Sequence, residues 1–161
     1  MSRARYALAF AIIALFTLAL PRAGRADWAY TEWGMSLDEV IAASPVKLTP
    51  LDEKVQAQTR EYISDGRSAA MLAGWHVEGA YTYIVLFYFD LETRKLVSAN
   101  LDLRTMSLAD QLLSDLTEKY GAPVESREIV PGFFSSVWEE ADNRIVFIRT
   151  FDTAKMNYSA R

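Results

Sequence analysis

The sequence predicts an α+β fold, with two helices packed on one face of an antiparallel sheet. Two segments place apolar residues at helical spacing between residues that favour helix ends, and several others are rich in aromatic and β-branched residues. Short matches also recur in the same order in both halves of the chain. These observations predict a helix followed by an antiparallel meander, used twice around a shared sheet.

The first predicted helix begins after Ser36. Serine favours the N-cap, and Glu39 three positions later completes the capping-box pattern. Val40 and Ile41 belong to an apolar stripe at helical spacing. We expect the helix to stop at Pro45, because proline has no backbone N–H to donate.

The second predicted helix has Ser107 as its N-cap and Asp110 at its third helical position. Its apolar residues share one face, at Leu108, Leu112, Leu113, Leu116 and Tyr120. Gly121 suits the position just past the last turn, and Pro123 follows it. We therefore expect this helix to end at Gly121.

Strands are predicted in the middle of the chain. Tyr81–Phe89 is apolar on both faces, as a central strand is, and Lys95–Leu103 alternates between apolar and polar residues. Ser68–His76 is a further strand before a turn at Glu78-Gly79. Leu48–Thr59 is polar and poorly periodic, so it is predicted to be a loop.

The last part of the chain predicts a β-hairpin. Phe134–Glu139 and Arg144–Phe151 are both rich in strand-forming residues. Ala141-Asp142-Asn143 separates them and has the composition of a hairpin turn. We expect these two strands to pair.

The two halves share short matches in the same order. Each has Met-Ser-Leu at its helix start, then Pro-Val, a tryptophan and a strand ending in Phe-Asp. The matched segments are Met35-Ser36-Leu37, Pro45-Val46, Trp75 and Phe89-Asp90 in one half, and Met106-Ser107-Leu108, Pro123-Val124, Trp138 and Phe151-Asp152 in the other. A duplicated unit explains this order, and the alternative is that such short matches arose by chance.

Residues 1–26 have the layout of a secretory signal peptide. Two arginines precede the uncharged apolar run Tyr6–Leu20, and Ala26 suits cleavage before Asp27. The alternative is an uncleaved membrane anchor, but a spanning helix needs about 20 residues and the apolar run is shorter. We therefore predict cleavage after Ala26, one mature domain at residues 27–161, and a periplasmic or secreted location.

Composition excludes several classes of protein. The chain has no cysteine, which excludes a disulfide framework, a cysteine zinc site and a bacterial lipid anchor. Residues 1–26 hold four of the 17 basic residues and no acid, so the mature chain has 13 basic and 21 acidic residues, a net charge of −8. This balance disfavours nucleic-acid binding. No later stretch is long and apolar enough to predict a membrane span.

Catalytic and cofactor signatures are few. His76 is the single histidine and the acidic residues are spread along the chain, so no metal site is predicted. No nucleophile elbow or glycine-rich phosphate loop occurs in the sequence. We interpret His76 as a strand-end residue near the Glu78-Gly79 turn. The sequence predicts no enzymatic activity, no catalytic residues and no cofactor.

Aromatic residues are the remaining candidates for a binding site. Trp75, Tyr81, Tyr83 and Tyr88 cluster in one predicted hairpin. Tyrosine and tryptophan are common anchors of recognition surfaces, because they combine a large area with a polar tip. The alternative is that these residues form part of the core.

Two segments resemble a known group of domains. Trp33–Val40 has a Gly-x-Ser/Thr-x-x-x-Val pattern, and Lys119–Pro123, Trp138 and Ile145–Phe151 follow in similar order. On these residues the chain resembles the small exported bacterial domains of the superfamily that includes β-lactamase-inhibitor proteins and the small outer-membrane-assembly lipoprotein. It is most similar to periplasmic proteins of that plan. The resemblance implies the fold and a tendency to bind proteins, without a transferable site, and the cysteines of both named groups are missing.

The leading prediction is a non-enzymatic protein that binds another envelope protein through an exposed sheet face or hairpin. One alternative is a binder of a small apolar ligand, in a cavity between helices and sheet. The other is a hydrolase that uses two of four carboxylates, at Asp90, Asp102, Glu139 and Asp152. The oligomeric state is not predicted.

Overall fold

The computed structural model describes residues 28–60 and 67–161. The predicted signal peptide, residues 1–26, and its cleavage site between Ala26 and Asp27 lie outside the described residues. The described part of the chain forms one eight-stranded antiparallel sheet with a few helices. This confirms the predicted α+β class.

The sheet consists of two antiparallel meanders that meet at its centre. Its strands are β1 (Thr49–Pro50), β2 (Ser68–Glu78), β3 (Tyr81–Asp90), β4 (Leu96–Leu103), β5 (Glu125–Val130), β6 (Phe133–Glu140), β7 (Asn143–Arg149) and β8 (Ala154–Ala160). Their order across the sheet is β1-β2-β3-β4-β8-β7-β6-β5. β4 therefore pairs with β8, and each half of the sheet contains four consecutive strands.

The helices of the described residues are α1 (Leu37–Ala43), α2 (Glu53–Gln58), a 3₁₀ turn (Met106–Leu108) and α3 (Ala109–Tyr120). The capping box predicted at the start of α1 is confirmed. The Ser36 amide donates to Glu39 Oε2 at 2.7 Å, and the Ser36 hydroxyl oxygen accepts from the Glu39 amide at 3.4 Å. The helix ends two residues before Pro45, close to the predicted position.

The start of α3 corrects the prediction. Ser107 lies inside the 3₁₀ turn, and α3 begins at Ala109 without a side-chain cap. Asp110 is in the first turn, where its negative charge interacts favourably with the positive end of the helix dipole. The predicted end is confirmed: Gly121 has a φ of +81°, and the Trp138 indole N–H donates to the Gly121 carbonyl at 2.9 Å.

Leu48–Thr59 is not a loop throughout, because it contains β1 and α2. Asp52 caps α2 by accepting a hydrogen bond from the Val55 amide at 2.9 Å. The two elements have two and six residues. Segments of this length are too short to show a periodic pattern in the sequence.

The five predicted strands correspond to β2, β3, β4, β6 and β7. β7 ends at Arg149 rather than Phe151, because the Thr150 amide donates to the Thr153 carbonyl at 2.8 Å and forms a turn. The sequence analysis missed β5 and β8. β5 is exposed along its whole length, so no apolar alternation marks it, whereas β8 does alternate.

Alternate residues of the central strands form the core. One buried cluster contains the side chains of one face, which we call the inner face, at Tyr83, Val85, Phe87, Leu101, Phe147 and Met156. The same cluster includes Val40 of α1 and Leu112 and Leu116 of α3. We call the opposite side of the sheet the outer face.

The pairing register shows how the two halves of the sheet correspond. Counting outward from the central pair of Asn100 and Asn157, Gly74 in β2 occupies the position that Trp138 occupies in β6. The predicted match of Trp75 with Trp138 is therefore displaced by one residue. Because successive strand residues face opposite sides, Trp138 lies on the inner face and Trp75 on the outer face.

Candidate functional site

The four predicted binding residues do not form one surface patch. Tyr81, Tyr83 and Tyr88 are 9%, 1% and 6% exposed, and the first two lie on the inner face. Trp75 lies on the outer face and is 56% exposed. Of the four side chains, only the Trp75 indole is available to a partner. This corrects the expectation of an aromatic surface on the hairpin.

The contacts of Tyr81 and Tyr83 explain why they are buried. The Tyr81 hydroxyl donates a hydrogen bond to Asp115 Oδ2 of α3. Burial, this hydrogen bond and the Asp115 charge raise the pKa of Tyr81 to about 12. The Tyr83 ring lies between Tyr81 and His76, with centroids 6.2 Å apart in both pairs. Both tyrosines belong to the core, the alternative that the sequence left open.

A row of side chains crosses the outer face from Trp75. Trp75 pairs with Ile84, Ile84 with Asp102, Asp102 with Lys155, and Lys155 with Ile148. We call these five residues the outer row. Lys155 Nζ is 3.7 Å from Asp102 Oδ2, so an ion pair lies between apolar ends. The row spans about 19 Å, since neighbouring strands lie about 4.8 Å apart.

A groove of about 510 Å³ lies at one end of the outer row, where β4, β8 and β7 meet. Ile148 and Lys155 of the outer row line it, together with the exposed Arg144. Within it the Asn157 amide donates a hydrogen bond to Asn100 Oδ1. The groove combines apolar surface, amide groups and positive charge.

A second cavity, of about 450 Å³, opens between the ends of β2 and α3 and the β6–β7 turn. We call it the end cavity; aromatic and charged residues line it, at Trp28, His76, Glu78, Lys119, Tyr120, Glu140 and Tyr158. The His76 ring meets the Trp28 ring edge-on, with centroids 5.1 Å apart. His76 Nε2 lies 3.9 Å from Glu78 Oε2. The sequence predicted the place of His76 near the end of its strand, but not these tertiary neighbours.

The four carboxylates considered for a hydrolase have separate partners. Asp90 accepts a hydrogen bond from the Thr93 amide at 2.7 Å, and hydrogen bonds from Thr93 are the main reason why the pKa of Asp90 is lowered. Each of the other three carboxylates has its own partner. Asp102 pairs with Lys155, Glu139 pairs with Arg161, and Asp152 accepts a hydrogen bond from the Thr150 hydroxyl. Within residues 28–60 and 67–161, no cluster of three or more histidines and acidic residues could hold a metal ion.

In the part of the chain that the structure describes, no helix has the length and apolar character needed to cross a lipid bilayer. No protein-family model matches the chain, and no curated protein or solved structure is significantly similar to it.

Proposed function

We propose that the mature protein is an exported, non-enzymatic protein that binds another envelope protein through the outer face of its sheet. The outer row supports this most directly, because it presents the 56% exposed Trp75 at one end and reaches the groove at the other. We further propose that α1 and α3 both cover the inner face, with which they share the buried cluster. The outer face is then the one left for a partner, and a relationship to the β-lactamase-inhibitor-like superfamily would agree with this use.

The outer row fits an extended protein surface better than a small molecule. A standard interface buries about 800 Å² on each partner, a patch about 30 Å across, and the row spans about 19 Å of it. Val77, 66% exposed, lies two residues from Trp75 on the same face. Tryptophan is among the residues that contribute most to binding energy in such interfaces.

Charge also constrains the partner. The predicted mature chain has a net charge of −8, so a partner with a positive surface would be attracted over a distance. The Asp102–Lys155 pair at the middle of the row then requires polar groups opposite it. Because the groove itself contains Arg144 and Lys155, we propose a partner that places polar groups opposite the middle of the row and apolar side chains on both of its ends.

Site-specific photo-crosslinking in the protein's own cells tests this proposal. A photoreactive phenylalanine analogue is placed at Trp75, at Ile148, or at Phe151, which is 82% exposed but lies outside the outer row. We expect the first two variants to give adducts of one common mass, and the third to give none. The crosslinked partner is then identified and purified for binding measurements.

The second measurement is the affinity of the purified partner. Trp75→Ala should raise the Kd about tenfold, because tryptophan is among the residues that contribute most to binding energy in protein interfaces. The matched control Phe151→Ala should leave the Kd unchanged. Equal crosslinking at all three positions, or equal affinity of both variants, would contradict the proposed surface.

The two alternative functions considered from the sequence, a hydrolase and a small-ligand binder, differ in the support that they have. A hydrolase is not proposed, because its four candidate carboxylates have separate partners. A small-ligand site has a specific observation in its favour, the end cavity.

A further inference from the structure

We propose that the end cavity binds a small organic cation, an ammonium group attached to an apolar or aromatic body, and that the Lys119 ammonium competes with it from within the chain. The cavity volume of about 450 Å³ lies in the range of small-molecule sites, about 300–1,000 Å³. The cavity lining includes Val77 of the outer face but none of the five residues of the outer row, so either proposal can fail without the other.

Aromatic rings form one part of the cavity lining. The Trp28 and Tyr158 ring centroids are 6.4 Å apart, and the Tyr120 and Tyr158 hydroxyl oxygens are 3.5 Å apart. Aromatic ring faces attract cations through their negative electrostatic potential, most strongly when the cation is shielded from water. These rings would surround both the apolar body and the charged group of such a ligand.

Lys119 shows that the cavity accommodates an ammonium group. Its Nζ lies 5.0 Å from the Tyr120 ring centroid and 4.0 Å from Glu78 Oε1. Burial alone would lower the pKa of Lys119, but the Tyr120 hydroxyl and the charges of Glu78 and Glu140 outweigh it and raise this pKa. The cavity thus stabilises a positive charge between a ring and carboxylates.

The charges of the lining favour a second cation over an anion. Glu78 and Glu140 contribute two carboxylates, and Lys119 is the matching ammonium within the lining. A ligand cation that displaced Lys119 would gain the same carboxylates, while the Lys119 side chain, 57% exposed, would move toward solvent. An anionic ligand would be repelled by both carboxylates.

Tyr158 adds a polar group to the cavity lining. The residue is 7% exposed, and within the described residues its hydroxyl contacts Tyr120 Oη at 3.5 Å and Met156 Sδ at 3.9 Å. Burial is the main reason why the pKa of Tyr158 is raised, so the hydroxyl keeps its proton. Because the contact with Tyr120 is long, we expect a polar group of the ligand to form a closer hydrogen bond with this hydroxyl.

Nuclear magnetic resonance of His76 tests the proposal. His76 is the single histidine, so its Cε1 proton gives one assignable signal in a protein purified without a histidine tag. The mature protein is titrated at constant pH and ionic strength with 2-phenylethylammonium, and separately with 2-phenylethanol and 3-phenylpropanoate. We expect a saturable shift with the ammonium compound, and no saturable shift with the neutral and anionic analogues.

Variants separate this cation site from a general apolar cavity. Lys119→Gln removes the internal competitor and should lower the Kd for 2-phenylethylammonium roughly threefold, whereas Glu78→Gln should raise it roughly threefold, because both side chains are more than half exposed and such ion pairs are weak. Lys54→Gln, on the exposed side of α2, is the control for a lost positive charge and should change nothing. An equal response to all three compounds, weaker binding by Lys119→Gln, or no saturable shift in either the natural protein or Lys119→Gln would overturn the proposal.

Discussion

Asn100 and Asn157 lie opposite each other where the two meanders meet, and the side-chain amide of Asn157 donates a hydrogen bond to Asn100 Oδ1. Both residues are half-buried and line the groove where β4, β8 and β7 meet. The single direct strand pairing between the meanders in the described residues is that of β4 with β8. This amide pair therefore ties the two halves of the sheet together.

We expect the losses of stability from replacing Asn100 and Asn157 to be less than additive. Asn157→Leu leaves the Asn100 amide without its partner and should lower the free energy of unfolding by about 1–3 kcal/mol. The double variant, with leucine at both positions, should lose less than the sum of the single variants. Urea unfolding of the four proteins measures the coupling, and strictly additive losses would exclude a stabilising amide pair.

The displaced match between Trp75 and Trp138 predicts that the same substitution has a large effect on stability at Trp138 and almost none at Trp75. Trp138 is 1% exposed and donates to the Gly121 carbonyl, so Trp138→Ala should cost about 3–5 kcal/mol of stability. Trp75→Ala should change stability by less than about 0.5 kcal/mol, because its ring is on the surface. Chemical denaturation of both variants checks this, and comparable losses would mean that the assigned register is wrong.

Gly74 allows a close contact with Leu48. A Cβ atom added at Gly74 would lie 2.5 Å from Leu48 Cδ2, so Gly74→Ala should destabilise the protein by about 1 kcal/mol. In a Leu48→Ala background the same change should cost nothing, because the space is then free. Thermal unfolding of the single and double variants gives the comparison. A similar loss in both backgrounds would indicate that the backbone, rather than Leu48, sets the cost.

Burial of Tyr81 predicts a loss of stability in alkali. Its pKa is about 12 in the folded chain against an ordinary value of 10.0, so the unfolded chain releases this proton first as pH rises. Below pH 10 the contribution of Tyr81 to the free energy of unfolding should therefore be constant. Between about pH 10 and 12 this contribution should fall, by up to about 1.4 kcal/mol per pH unit. Urea unfolding across this range should show a shallower decline for Tyr81→Phe. An identical decline in both proteins would show that Tyr81 titrates normally.

Local sequence patterns were sufficient for much of the fold. The capping box at Ser36 and Glu39 and the aromatic run of β3 each predict one element, because period and end residues lie close together in the chain. The short β1 and α2 and the fully exposed β5 have no such period. They form because neighbouring elements provide contacts that no local pattern records.

The candidate sites depended on information beyond the local pattern. The exposed position of Trp75 follows from a strand register that differs by one residue between the halves, and a sequence match cannot show this. The end cavity brings Trp28, His76 and Lys119 together from distant parts of the chain. Taken one at a time in the sequence, Trp28 suggests a core aromatic residue, His76 a residue near a strand end and Lys119 a residue near a helix end.

The two outer edges of the sheet differ in their hazard of fibrous aggregation. β1 has two residues, one of them Pro50, and gives another chain little backbone to pair with. β5 has six exposed residues, and one side of its backbone has no strand neighbour in the described sheet. Its three charged residues, Glu125, Arg127 and Glu128, disfavour the stacking of further strands on this edge. Their charge thus protects a protein whose neighbouring Ile129 and Val130 would otherwise promote self-assembly.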